Sequence, residues 1–333
     1  MILDGLSETI KLDTPLVRVT RYQEHHNCHA PIVVKMEQLN PCHSNKDRSA
    51  LFMIEKAMDE GKILPGITTV VEATAGCFGI SLSSVCASKG IRLVLFMPDS
   101  VNIDHLTLLL SYGAIVKLSR GVLGMQGAQD ALSEYMMNNK NCYHLDQFHN
   151  NSNSESFFAT TATEIWRAVG EEQGMIDAIV VGSGTAGTAS GIAAFFKRVD
   201  PNVDIIVVEP AESPVISGGC PGVHSIPGLG PSFFPPLLRV ENIDEVFQVS
   251  TRQAILAARD FAMIEGIFPS ASGGAVLHAC SNIAKRPRAR EGKLVVGILC
   301  ADGERFLNTS LCSHSMHAAK ELLAESLKQS HLD

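Results

Sequence analysis

The sequence has few aromatic residues, no surplus of positive charge and no long apolar segment. Of its 333 residues 6% are aromatic, and 27 lysines and arginines stand against 35 aspartates and glutamates. A net charge of −8 without a basic stripe argues against a nucleic-acid partner. No apolar run approaches the ~20 residues that a membrane-spanning helix needs, so we expect no membrane partner.

The nine cysteines do not follow the spacing of paired bridges or metal ligands. Their number is odd and none are arranged as Cys-x-x-Cys, which argues against a disulfide framework. Residues 25–29 crowd three histidines and one cysteine together, a spacing that matches no usual zinc motif, and we expect no metal site. The first 14 residues lack the layout of a signal peptide. Because a disulfide framework is not expected, we expect a protein of the reducing cytoplasm.

Strand and helix patterns alternate along almost the whole chain. Nearly continuous valine, isoleucine and leucine runs predict strands covered on both faces, at residues 32–36, 68–72, 91–97, 114–118, 178–181, 205–209 and 294–299. Apolar stripes of helical period predict helices at residues 47–60, 127–137, 157–169, 188–198 and 252–264. This alternation predicts the α/β class, with parallel strands in two doubly wound open sheets.

Two further segments fit neither pattern. Residues 150–154 form a polar stretch of asparagine and serine, which we interpret as the crossing between the two sheets. Residues 217–236 are rich in glycine and proline and too irregular for a strand or a helix. Long ordered loops of this kind are often functional.

Residues 40–48 follow a predicted strand and open a predicted helix, with Lys46 at the helix start. The helix macrodipole is positive at this end and disfavours a charged amine there. Such a field suits a lysine that must react as a neutral amine and form an imine. The alternative is an ordinary solvated lysine in a first helical turn.

A glycine-rich turn that follows a predicted strand has the composition of an anion site. Gly182, Gly184 and Gly187 let the backbone come close to a ligand, and successive N–H groups at a helix start bind phosphate. Thr185 and Thr188 add hydroxyl donors. The alternative is an ordinary tight turn between a strand and a helix.

The same three glycines also satisfy the GxGxxG pattern of dinucleotide-binding folds. The next strand ends in Glu209, where an acidic residue would bind the ribose of NAD. An NAD-dependent oxidoreductase is therefore a rival interpretation. Against it, the motif lies in the middle of the chain and leaves the Lys46 segment without a role.

Residues 269–275 form a third candidate segment, a serine- and glycine-rich turn that opens an apolar helix. On its own, this pattern is most typical of a serine that caps a helix N-terminus.

Taken together, these segments resemble the cysteine synthase (O-acetylserine sulfhydrylase) and cystathionine β-synthase family, pyridoxal-phosphate enzymes of fold type II. The similarity extends from residues 14–16 to residues 302–307. Three pieces within residues 208–230 resemble the long loop of the family, and residues 147–148 and 160–161 also match its pattern. Because several separate motifs occur in the right order, the resemblance is specific.

The resemblance implies the fold of the tryptophan synthase β-subunit, with two open-sheet domains. Residues 39–151 would form a smaller mobile domain that carries the substrate loop. Residues 1–38 and 152–333 would form the larger domain that carries the phosphate loop. The family analogy also implies a homodimer.

Pyridoxal 5′-phosphate is the cofactor that the resemblance implies, with Lys46 as its Schiff-base lysine and as the acid and base at Cα. Ser272 would face the pyridine nitrogen, where a neutral hydroxyl favours β-elimination over transamination. Cys77 stands where the family has an asparagine that contacts the cofactor's ring oxygen. The phosphate would be bound by the glycine turn, through Gly184, Thr185, Ala186, Gly187 and Thr188.

The loop that would bind the substrate carboxylate departs from the family pattern. The family has Thr-Ser-Gly-Asn-Thr, whereas this chain has Thr74, Ala75, Gly76, Cys77 and Phe78. Side-chain donors to a charged carboxylate contribute ~1.5–3 kcal/mol each, so losing two weakens substrate binding by ~3–6 kcal/mol. Backbone N–H groups at the helix start would recover part of this loss.

By resemblance, the reaction is β-replacement on an activated L-serine, of the O-acetylserine or O-phosphoserine class, through an aminoacrylate. Gln147 and Gly228 would contact this small amino-acid substrate outside the altered loop. The substitutions in the loop predict a changed amino-acid substrate or a changed nucleophile. A non-catalytic paralogue that binds pyridoxal phosphate is the second hypothesis, and the NAD-dependent oxidoreductase is the third.

Overall fold

The computed structural model of the protein describes residues 2–170, 172–287 and 292–329. Its strands are β1 (Leu16–Arg18), β2 (Ile32–Met36), β3 (Thr69–Ala73), β4 (Arg92–Pro98), β5 (Ile115–Ser119), β6 (Cys142–His144), β7 (Ile176–Gly182), β8 (Asp204–Pro210), β9 (Glu245–Val249) and β10 (Leu294–Leu299).

The α-helices lie before, between and after these strands. They are α1 (Leu6–Ile10), α2 (Thr20–His25), α3 (Lys46–Asp59), α4 (Cys77–Ser88), α5 (Ile103–Ser111), α6 (Gly124–Asn138), α7 (Ser152–Phe157), α8 (Thr163–Ala168), α9 (Gly187–Val199), α10 (Thr251–Glu265), α11 (Ala271–Ile283) and α12 (Ser313–Gln329). A π-helical turn, Phe158–Ala162, joins α7 to α8. None of the described helices combines the length and the apolar character that crossing a membrane requires.

The strands form two open sheets, and this confirms the predicted α/β class. The larger sheet has the order β1-β2-β10-β7-β8-β9, and the smaller sheet has the order β5-β4-β3-β6. All neighbouring strands are parallel except β1 and β2, which pair antiparallel. Helical crossovers connect β3 to β4, β4 to β5 and β7 to β8, whereas a long irregular loop connects β8 to β9.

Both faces of the larger sheet are covered, which explains its continuous apolar strands. On β7, Val180 packs into one cluster with Leu277 of α11, whereas the next residue, Val181, packs into another with Ile192 of α9. Successive side chains of a strand point to opposite faces, so each strand needs apolar residues at every position.

The predicted strands agree with the structure to within about two residues, but several elements were missed. Strands β1 and β6 have only three residues each, too short for a pattern. Strand β9 lies at an edge of the sheet, and polar residues interrupt its apolar run. Helix α4 is buried along nearly its whole length, so it lacks the polar face on which the sequence analysis relied.

The interpretation of residues 150–154 as a simple crossing needs correction. Helix α7 begins at Ser152, so the helix expected at 157–169 starts earlier and passes through the π-helical turn. Asn153 is buried and donates hydrogen bonds to the Gln147 carbonyl (2.8 Å) and to the Thr185 hydroxyl (3.0 Å). This segment is therefore a packed joint between elements of the two sheets.

A cluster of buried charges fixes the start of α3. Arg48 donates from Nε to Glu37 (2.7 Å) and from Nη1 and Nη2 to Glu164 on α8 (2.5 and 2.8 Å). Lys35 of β2 also donates to Glu164, and all four side chains are at most 4% exposed. Although burial acts to raise it, Arg48 and Lys35 hold the pKa of the Glu37 carboxyl below its ordinary value. The two positive and two negative charges therefore balance one another.

We expect Glu164→Gln to lower the free energy of unfolding by about 3–5 kcal/mol, because the two buried cations Arg48 and Lys35 would then share the single negative charge of Glu37. Urea unfolding followed by circular dichroism measures this loss. Arg167→Ala, on the same helix, is the control, because its ion pair with Asp13 is exposed and should contribute at most about 1 kcal/mol. Equal losses in the two variants would contradict the role of the cluster.

Candidate active site

The strand order of each sheet reverses once, and polar segments of the sequence lie at these points. In the larger sheet the chain proceeds from β7 through β8 to β9, and β10 then joins on the other side of β7. In the smaller sheet it proceeds from β3 through β4 to β5, and β6 then joins on the other side of β3. Open α/β sheets bind ligands at the carboxyl ends of the strands beside such a reversal.

A cavity of about 420 Å³ lies where these strand ends meet. Residues after β3 and β6 line it from the smaller sheet, and residues after β7 and β10 line it from the larger sheet. The predicted site residues that line it are Lys46, Thr74, Ala75, Gly76, Cys77, Phe78, Gln147, Gly184, Thr185, Ala186, Thr188, Gly228 and Ser272. The structure thus brings together segments that are more than 200 positions apart in the sequence.

Gly187 is buried but does not line the cavity, unlike the other predicted site residues. Its N–H donates to the Thr185 hydroxyl (3.4 Å), and an added Cβ would lie 2.2 Å from Oδ1 of Asn153. The need for glycine here comes from the close packing of α9 on α7. The contribution of Gly187 to the phosphate site stays a prediction.

Asn45 connects the Lys46 segment to the glycine turn. Lys46 is the first residue of α3, as predicted, and its Nζ donates to Oδ1 of Asn45 (3.0 Å). Nδ2 of Asn45 donates to the Thr188 hydroxyl (3.0 Å). Asn45 was not among the predicted site residues, although its place beside the candidate lysine was a signal.

The turn between β7 and α9 has the geometry of an anion site. Ala186 has a left-handed backbone (φ 66°) and immediately precedes α9, so consecutive N–H groups meet the positive end of the helix. The Thr185 hydroxyl accepts from Asn153, and the Thr188 hydroxyl accepts from Asn45. Because each oxygen is an acceptor toward a buried amide, each O–H hydrogen is available to a ligand.

The long loop predicted at residues 217–236 packs directly on this turn. A Cβ at Gly184 would lie 2.4 Å from the carbonyl oxygen of Gly228, which is too close for any side chain. The N–H of Gly230 also donates to the Ser183 carbonyl (3.0 Å). Gly184 and Gly228 therefore let the backbones of the turn and the loop come into contact.

The third segment, residues 269–275, contains one serine that caps a helix and one that lines the cavity. Ser270 caps α11, and its hydroxyl accepts from the N–H of Gly273 (3.3 Å). Ser272 lines the cavity, and its hydroxyl lies 2.8 Å from that of Ser270. Capping is thus done by Ser270, which leaves Ser272 to face a ligand.

Glu209 has a structural role that differs from the one in the NAD interpretation. Its carboxylate is 1% exposed and accepts hydrogen bonds from the N–H groups of Ile216 (2.8 Å) and Ser217 (3.1 Å) and from the Ser217 hydroxyl (2.5 Å). It fixes the start of the long loop and does not line the cavity. Donors of the protein therefore occupy this carboxylate.

The altered loop forms the entrance to α4. The helix begins at Cys77, and within the described residues no side chain caps its N-terminus. Phe78 is 3% exposed and packs into the core of the smaller sheet while it also lines the cavity. Burial raises the pKa of the Cys77 thiol, an effect that Arg305 and Lys46 partly oppose, so the thiol is protonated at neutral pH.

Comparison with known proteins agrees with this geometry. Residues 8–301 match the family of pyridoxal-phosphate dependent enzymes. The chain belongs to this family. A cysteine synthase from Staphylococcus aureus is 40% identical over 311 residues, which cover 93% of this chain and 97% of the relative.

Two solved structures are similar over 93% of this chain. One is a cysteine synthase from Entamoeba histolytica, with a TM-score of 0.89, 33% identity and 91% of its chain covered. The other is an O-ureido-L-serine synthase, with a TM-score of 0.88, 32% identity and 95% of its chain covered. The protein is therefore a pyridoxal-phosphate-dependent enzyme of the β-replacement and lyase type, and the NAD interpretation is wrong.

We expect Gly184→Ala to weaken binding of pyridoxal phosphate about tenfold to a hundredfold, because its Cβ would push the turn away from Gly228. Titration of the apoenzyme, followed by the visible absorbance of bound cofactor, measures this affinity. Gly76→Ala is the matched control, since its Cβ would meet no atom within 4 Å. Equal affinities of the two variants would show that the contact with Gly228 does not shape the cofactor site.

Proposed function

We propose that this enzyme catalyses β-replacement on an activated L-serine, of the O-acetylserine or O-phosphoserine class. The hydrogen-bonded path from Lys46 through Asn45 to Thr188 is the observation that carries the proposal. It joins a reactive amine to an anion-binding turn, and pyridoxal phosphate needs both. The similarity to cysteine synthases supports the class of reaction.

Three groups of residues fit the three ends of the cofactor. The anion site of residues 184–188 suits the phosphate, Lys46 suits the aldehyde, and Ser272 suits the pyridine nitrogen. When bound, pyridoxal phosphate supplies an aldehyde that takes up the substrate amine and a ring that withdraws electrons from Cα. Cys77 lies beside this site and, as a protonated thiol, is a weak donor to the ring oxygen.

Lys46 has two tasks in the proposed reaction. Its amine holds the cofactor and, once released, removes the proton from the substrate Cα. The hydroxyl of Ser272 is neutral and does not keep a proton on the ring nitrogen, so departure of the β-substituent is favoured over transfer of the amino group. A nucleophile then adds to the β-carbon, and the amine of Lys46 returns the proton to Cα.

The amino-acid half of the site differs from that of the family, and we infer a changed substrate or nucleophile. Several contacts for a small amino acid remain, namely the N-terminus of α4, Thr74, Gly76, Gln147 and Gly228. Ala75 and Phe78 lack the hydroxyl donors that the family has at these positions, and Phe78 also fills space in the cavity. An amine in place of sulfide is one such nucleophile. Similarity to an O-ureido-L-serine synthase supports a product other than cysteine.

We also propose that residues 39–151 form a mobile domain that closes over the substrate. The cavity supports this, because both sheets line it and closure would exclude water from the reaction.

A cytoplasmic homodimer is the form we propose for the protein. Two exposed leucines of α12, Leu322 (69%) and Leu323 (66%), support a partner surface, and free cysteines suit a reducing compartment.

A panel of activated serines tests the proposed function. We expect O-acetyl-L-serine or O-phospho-L-serine, with sulfide or an amine, to give a β-substituted alanine that mass spectrometry detects. The Lys46→Ala variant is the control and should form no product, since it lacks the amine. Bound cofactor with no product from any pair would contradict the proposal. It would favour a non-catalytic paralogue, an interpretation that the loss of hydrogen-bond donors in the loop also supports.

Restoring family residues in the loop tests the altered specificity. We expect Cys77→Asn and Phe78→Thr to raise kcat/KM for O-acetyl-L-serine with sulfide about tenfold or more, because each returns a hydrogen-bonding side chain. Cys220→Asn, in an exposed loop, is the control and should change nothing. Unchanged O-acetylserine kinetics in both loop variants would show that this loop does not set the specificity.

A further inference from the structure

One buried imidazole in the cavity has no role in the proposed reaction. His105 lies on α5, lines the cavity and is 6% exposed. Its ring packs edge-on against Phe306, with 5.7 Å between the ring centroids. The side chain is therefore held in one place, at the wall that the smaller sheet contributes.

Neither ring nitrogen of His105 has a hydrogen-bond partner of normal geometry among the residues that the structure describes. The backbone of Ala75 makes a weak hydrogen bond to the ring, but its geometry falls outside that of a normal hydrogen bond, and both nitrogens lack a partner of normal geometry. Buried polar atoms nearly always have a partner, and one left without it costs stability. A ligand in the cavity would provide the missing partner.

In its neutral form His105 retains one N–H, which a ligand would accept in place of the weak contact with Ala75. Burial lowers the pKa of the imidazole, and Arg305 lowers it further, whereas the Ala75 carbonyl and Asp104 oppose the shift. A neutral imidazole carries one N–H donor. Arg305 adds a positive field at both His105 and Cys77, and its Nε and Nη1 are buried without a partner within the described ranges.

The position of His105 matters because of its neighbour. Ala75 is the residue at which the substrate loop lost a hydroxyl donor, and His105 is the polar side chain that faces it. The open N-terminus of α4 lies beside the same loop. A donor, a helix N-terminus and a positive field thus surround one end of the cavity, an arrangement that attracts an anion.

We propose that His105 donates a hydrogen bond to the carboxylate of the amino-acid substrate and replaces the donor lost at Ala75. This proposal rests on the proposed function, since it assigns a contact within the same site. It makes His105 a specificity-determining residue for the carboxylate. An anionic phosphate on the β-carbon has related chemistry, and the experiment distinguishes the two.

The test compares L-alanine with L-alaninamide, which differ only in the carboxylate and have no leaving group. Their dissociation constants follow from the change in visible absorbance of the holoenzyme. We expect His105→Phe to raise the constant for L-alanine about tenfold to a hundredfold and that for L-alaninamide less than about twofold. His105→Asn keeps an N–H donor and should retain most of the discrimination. If His105→Phe does not fold, His105→Met serves the same comparison.

His278→Phe is the matched control, because this imidazole lies on α11 and does not line the cavity. Unchanged discrimination in the His105 variants, or equal weakening of both ligands, would overturn the proposal. Weakened binding of O-phospho-L-serine with unchanged binding of L-alanine would assign the hydrogen bond to the phosphate and overturn the carboxylate.

The same measurements separate the proposal from the proposed function. Discrimination that depends on His105, without turnover of any activated serine, would uphold the contact and overturn the reaction. Turnover without that dependence would uphold the reaction and overturn the contact. A wild-type enzyme that binds L-alanine and L-alaninamide equally would overturn the assignment of a carboxylate site altogether.

Discussion

The ion cluster around Arg48 fixes the backbone from which the reactive lysine extends. Arg48 lies two residues after Lys46, and its guanidinium is bound to Glu37 and to Glu164 of α8. Separating these buried charges would leave each without a partner in a medium that solvates ions poorly. The first turn of α3 therefore has one stable position, and only from that position can Asn45 join Lys46 to the glycine turn.

From this fixed point the electrostatics of the cavity follow. Among the helices that begin at its wall are α3 at Lys46, α4 at Cys77, α9 after Ala186 and α11 just before Ser272. Each N-terminus carries about half a positive charge, and its unpaired N–H groups favour anions. A protein of net charge −8 thus encloses a cavity suited to a phosphate and a carboxylate. Fold topology, rather than a surplus of basic residues, creates this field.

The sequence predicted best what depends on short segments. The strands at 32–36 and 294–299 match the structure to the residue, because a strand buried on both faces must be apolar throughout. Helix α4 was missed because it is buried on nearly all sides. Asn45 and His105 were missed for another reason: their importance comes from contacts with Thr188 and Ala75, which no local pattern records.

The substitutions in the loop change side chains while they leave the backbone of the site intact. Gly76 still precedes α4, and the helix still offers its N–H groups, so an anion can bind there. What is lost is the discrimination that hydroxyl and amide side chains add to this backbone.

In their place the cavity has apolar walls, among them Phe78 and the edge-to-face pair of Phe148 and Phe233, whose ring centroids are 5.1 Å apart. Phe148 follows β6 and Phe233 belongs to the long loop, so this contact joins the two halves of the site. A substrate group that binds beside these rings must be apolar, because burying an unpaired polar group there would cost free energy. The carboxylate therefore needs hydrogen-bond donors from another part of the cavity. Backbone turns thus form the part of the site that binds the cofactor, whereas the residues around His105 determine which substrate binds.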